Sequence, residues 1–76
     1  MNNERRKELT EIRDRLSELR EQLGNLGEAE EAAFDGLPEN FKEGERGEKM
    51  QEAKDAIDEA AAAVEEAENA IERAVE

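Results

Sequence analysis

The side chains best placed to do chemistry are Lys42, Arg46 and Lys49, gathered around Gly47 within eight residues of chain. Guanidinium and ammonium groups beside a glycine that admits close backbone approach form a ligand-binding group suited to a phosphate-bearing small molecule. Pairing of the same cations with Glu43, Glu45 or Glu48 is the alternative. No residue set points to catalysis. The chain has no cysteine and no histidine, which removes thiolate chemistry and the commonest base and metal ligand. Carboxylates are plentiful, but paired-carboxylate catalysis needs a desolvated cleft that separates their pKa values. No calcium-loop spacing and no inward Glu-x-x-His pattern occurs. The reading is a non-enzymatic protein with no catalytic residues, no metal site and no cofactor.

The elements that must position this group are legible from apolar spacing. Met50, Ala53, Ile57, Ala60, Val64, Ala67, Ile71 and Ala74 recur at alternating steps of three and four, an unbroken heptad seam. Upstream, Leu9, Leu16 and Leu23 take a positions, while Ile12, Leu19, Leu26 and Ala33 take d positions of a matching seam. Paired antiparallel, the two seams agree throughout. Leu9 with Ala74, Ile12 with Ile71, Leu19 with Val64 and Ala33 with Met50 each bring the residue numbers to the same total, 83. The expected fold is all-α, an antiparallel two-helix coiled-coil hairpin in a single domain, residues 1–76. Helix one spans about 3–34, the connection about 35–44 and helix two about 45–75. Asn2 or Asn3 suits the first N-cap. Gly24 and Gly27 each cost a helix interior roughly 1 kcal/mol, yet the apolar phase survives them, so helix one is expected to bend or soften there rather than end.

The connection is marked by Gly36, Pro38 and Gly44, with Pro38 suited to open a short helical segment. Both phenylalanines, Phe34 and Phe41, lie in this region. They are expected to plug the end of the seam or, if exposed, to offer a partner hot spot. Arg6, Arg13 and Arg20 form a column at the e position. Their stems are expected to cover the seam edge while their charges meet glutamates; a basic column for a ligand is the alternative. Glu30 opposite Ala53 is the one polar intrusion.

Charge is uneven along the chain: net 0 over residues 1–23, −5 over 24–44 and −7 over 45–76, for −12 in all. This balance excludes direct binding to nucleic acid or an anionic membrane, where lysine and arginine are rewarded. High charge with 3% aromatic residues also fits disorder, but heptad register at both ends argues for order. No apolar run suits a signal peptide or a membrane span, so the expected localisation is cytoplasmic. A lone hairpin buries each seam residue only in part. Self-association through the alanine column Ala56, Ala63 and Ala70 is therefore expected, with a dimer giving a four-helix bundle and a higher homo-oligomer as the alternative.

The segment F-D-G-L-P-E-N-F-K-E-G-E-R-G-E-K-M, from Phe34 to Met50, with the alanine and acidic spacing that follows, resembles short helical proteins encoded by bacteriophages and their hosts. The architecture is similar to the hairpin domain of phage proteins that sequester cyclic-nucleotide immune signals. What the resemblance implies is an anti-defence accessory protein. It would sequester a host signalling nucleotide, a phosphorylated small-molecule ligand, or block a basic host defence protein, in the host cytoplasm if the chain is phage-encoded. Two other readings of the residues stay open: an acidic mimic of nucleic acid that occupies a basic groove, and a structural oligomerisation module.

Overall fold

The computed structural model describes all 76 residues and consists of three helices, α1 (Asn3–Asp35), α2 (Glu39–Lys42) and α3 (Glu45–Val75). Helix α1 opens on Asn2, whose side-chain oxygen accepts a hydrogen bond from the Arg5 backbone N–H at 2.8 Å, satisfying one of the free donors of the first turn. It continues through Gly24 and Gly27 to Asp35. It closes where the Gly36 N–H donates to the Ala32 carbonyl and the Leu37 N–H to the Phe34 carbonyl, at 3.1 and 3.0 Å. Pro38 then caps the single turn of α2, its carbonyl accepting from the N–H groups of Phe41 and Lys42 at 2.9 and 3.1 Å. Gly44, in an extended conformation, is the N-cap of α3, and Glu45 and Glu48 complement the positive end of that helix. The segment between the two long helices, marked by its glycines and proline, contains α2.

Helix α1 packs along α3 as an antiparallel hairpin, and α2 packs on the start of α3. The molecule measures 58 × 14 × 12 Å with a radius of gyration of 17.3 Å; a compact chain of this length would have about 11 Å. Such a shape has no interior.

The seam differs from the expected one by a rotation of both helices. The buried and half-buried positions of α1 are its a and e positions, Arg6, Leu9, Arg13, Leu16, Arg20, Leu23, Gly27, Glu30 and Phe34, joined on one side by Thr10 and Ser17. Those of α3 are Gly47, Met50, Lys54, Ile57, Ala61, Val64, Ala67, Glu68, Ile71 and Val75. Gly27 meets Ile57, so the facing residue numbers total 84 rather than 83. The large a residues stay in the contact on both helices. The d positions of α1 turn out of it, leaving Ile12, Leu19 and Leu26 at 45%, 50% and 59% exposure. The physical reason is that each helix carries an apolar stripe three positions wide, which one neighbouring helix cannot cover. Contact falls on the side where Arg13 and Arg20 extend their stems across the seam and find carboxylates. No apolar side chain is fully buried anywhere in the hairpin.

Candidate functional site

Rotation of the helices gives the hairpin two unlike faces. On one side of the seam lie Thr10, Ser17 and Glu31 of α1, with Gln51, Asp58, Glu65 and Glu72 of α3. This face is polar and acidic. On the other side run Ile12, Leu19, Leu26 and Ala33 of α1 beside Ala53, Ala60, Ala67 and Ala74 of α3, and next to them Ala56, Ala63 and Ala70. Helical periodicity puts these two rows on the same side of the hairpin: in antiparallel helices, residues one step before the seam on each chain segment turn the same way. The result is a leucine and isoleucine ridge on α1 next to a smooth alanine lane on α3. The column Ala56, Ala63 and Ala70, expected to mediate self-association, is exposed and forms the outer half of that lane.

The polar face holds the lock between the helices. Glu68 is buried, at 7% exposure. Its carboxylate accepts from Arg20 Nε at 2.6 Å, from Arg20 Nη2 at 3.4 Å and from the Ser17 hydroxyl at 2.7 Å. A buried carboxylate persists only when so satisfied. Arg13 reaches Glu72 at 3.9 Å, and Lys54 bonds Asp58 at 2.6 and 2.7 Å, which raises the Lys54 pKa. The arginine column thus lies within the seam rather than beside it, with Arg13 and Arg20 paired to glutamates. Arg6 donates only to Asn3, at 3.4 Å. Apolar spacing does not single out Glu68. The signal that reveals it is the e position on both helices: arginine on one and a carboxylate on the other, at facing levels.

The Arg20 guanidinium, and next the Ser17 hydroxyl, hold the Glu68 carboxyl below its ordinary value of 4.5. A carboxyl whose native pKa is depressed contributes its stability in full above 4.5, and loses it as pH falls through the depressed native value. Glu68→Gln should therefore melt below the parent chain at neutral pH, and the gap should close as pH falls from 4.5 through the depressed native value. Circular dichroism melts of both chains across this range measure it. Relief of the overall negative charge is shared by both chains and cancels in the difference; a gap constant with pH would show that the carboxylate is not the group that matters.

At the tip, the four residues of the candidate phosphate group are placed apart in role. Lys42 lies 3.8 Å from Glu39 and 5.8 Å from the Phe34 ring. Lys49 pairs with Glu45 at 3.3 Å. Gly47 is buried, and its close approach is to the backbone of Lys42. Arg46 alone of the three cations has no carboxylate partner, and its guanidinium lies over the Phe41 ring at 5.9 Å from the centroid. The aromatic plug is divided too. Phe34 and Leu37 are half-buried and close the seam, while Phe41 stays 44% exposed. Glu30, the polar intrusion, lines a cleft of about 410 Å³ with Glu31, Phe34, Met50 and Lys54. This cleft opens on the polar face. No helix is long and apolar enough to cross a membrane. No protein-family model, curated protein or solved structure matches this chain.

Proposed function

We propose that the chain is a non-enzymatic interaction module whose working form is a self-associated pair of hairpins, a four-helix bundle with acidic outer surfaces. The observation that carries this reading is the pairing of an empty interior with a full apolar face. No apolar side chain is buried within one hairpin, while Ile12, Leu19 and Leu26 stand in a row on one side of it. The accessible surface supports the same reading. A folded monomer of 8.6 kDa is expected to expose about 4,700 Å², whereas the hairpin exposes 5723 Å². The excess of about 1,000 Å² is comparable to the roughly 800 Å² that each partner gives up in a standard stable interface. If folding and association are one event, the melting temperature rises with protein concentration. Melts over a hundredfold range of concentration test this, and a constant midpoint would refute it.

Arg46 and Phe41 favour a second reading for the tip. An unpaired guanidinium over an exposed aromatic ring offers charge and a stacking surface to a phosphorylated small molecule, in keeping with the nucleotide-sequestering role that the resemblance implies. Titration calorimetry with a cyclic dinucleotide tests it. Binding should be lost in Arg46→Ala with helicity unchanged, and an unaltered affinity, or no heat from the parent chain, would remove the reading.

A further inference from the structure

The self-associated pair admits two arrangements of its faces, and the sequence of the apolar face distinguishes them. A twofold axis parallel to the helices sets α1 of one hairpin over α3 of the other. An axis across the helices instead sets α1 over α1 and α3 over α3. We propose the first: α1 of each hairpin docks on the alanine lane of the other hairpin's α3, so that every neighbouring pair of helices in the bundle is antiparallel. This rests on the reading of the chain as a self-associating module and adds the register of the interface.

Three observations carry it. The ridge and the lane differ in relief, and relief is complementary only when ridge meets lane. Ridge on ridge would hold the two α1 helices apart and leave the alanine lanes facing each other across a gap. Levels along the axis also agree. With the hairpin register set by Gly27 opposite Ile57, a second α1 on the lane places each large side chain over a hole between alanines. Ile12 falls between Ala70 and Ala74, Leu19 between Ala63 and Ala67, and Leu26 between Ala56 and Ala60, the knobs-into-holes spacing of coiled helices.

Charge at the edge of the face is the third observation. Glu8 and Arg15 border the ridge on α1, and Glu66 and Arg73 border the lane on α3; all four are exposed and none has an ion-pair partner within the hairpin. Docking α1 on the lane brings Glu8 beside Arg73 of the partner subunit and Arg15 beside Glu66 of the partner subunit. Opposite charges then meet at the rim, where they set orientation more than affinity.

Disulfide trapping separates the arrangements, and the chain's lack of cysteine makes it clean. Gln22 and Ala63 lie at one level on the outer flanks of ridge and lane, too far apart within one hairpin to be bridged. In the proposed arrangement each faces the other across the interface. Oxidation of the Gln22→Cys/Ala63→Cys double variant should give covalent dimers closed by two disulfides, while neither single variant cross-links. Cross-linking of Gln22→Cys alone would establish α1 over α1 and overturn the arrangement while leaving self-association intact. No cross-linking in any variant, with a doubled mass by light scattering, would also overturn it. No cross-linking with the mass of a single chain would overturn self-association itself.

Discussion

Leu19→Glu should convert the pair of hairpins into single, weakly helical chains. Leu19 sits at the middle of the ridge and is half exposed in the hairpin, so little intramolecular contact is lost. In the proposed pair its burial belongs to the interface between copies. Covering a leucine contributes roughly 1.5 to 3 kcal/mol, and twofold symmetry counts each change twice. Only the half still exposed is left to cover, so the loss over both copies is about 2 to 3 kcal/mol, on the order of a hundredfold in dissociation constant, before the cost of desolvating two carboxylates. At micromolar concentration the variant should elute with the 8.6 kDa mass of one chain and show reduced helicity by circular dichroism. Gln51→Glu, which adds the same charge to the polar face, should leave both unchanged. A Leu19→Glu chain that stays paired would mean that the ridge is not the contact.

Gly47→Ala is the second large effect, and it acts at the tip rather than along the face. A Cβ at this position would collide with the Lys42 carbonyl oxygen and lie 2.7 and 2.8 Å from the Lys42 carbonyl carbon and Cα. These are backbone atoms of the turn that joins α2 to α3, and they cannot yield as a side-chain end would. Overpacking of this kind costs about 1 to 3 kcal/mol, which lowers the melting temperature of a small domain by roughly 5 to 20 °C. Gly24→Ala is the opposite case. A methyl group there would have nothing within 4 Å of it, so the substitution should stabilise α1 by roughly 0.5 to 1 kcal/mol through helix propensity alone. Thermal melts should rank Gly24→Ala above the parent chain and Gly47→Ala well below it. A Gly47→Ala chain that melts with the parent would show that α2 does not press on α3 in solution.

These two glycines also mark what the sequence makes legible. The helix limits, an asparagine cap at Asn2 or Asn3 and the turn around Pro38 follow from local chemistry and agree with the fold, in which Asn2 is the cap. The antiparallel pairing of the two seams follows from spacing. The face of contact does not, because heptad spacing puts Arg13, Arg20 and Glu68 at e positions on the edge of the seam, whereas their paired side chains occupy the seam itself. Turning by one position keeps Leu9, Leu16 and Leu23 inside and releases Ile12, Leu19 and Leu26. The a and d pattern therefore marks an apolar stripe wider than the intramolecular contact, without saying which part of the stripe that contact covers. Gly47 is legible as a site of close approach, but the approaching group is the chain's own Lys42. Residue type alone groups Phe41 with Phe34, and only the path of the turn separates them.

Light scattering coupled to size exclusion, on the parent chain at micromolar concentration, tests the paired hairpin most directly. Two hairpins joined by ridge and lane should give a single helical species of about twice 8.6 kDa. A fully helical, cooperatively melting species with the mass of one chain would contradict it, because such a hairpin would be stable with its apolar face open to water.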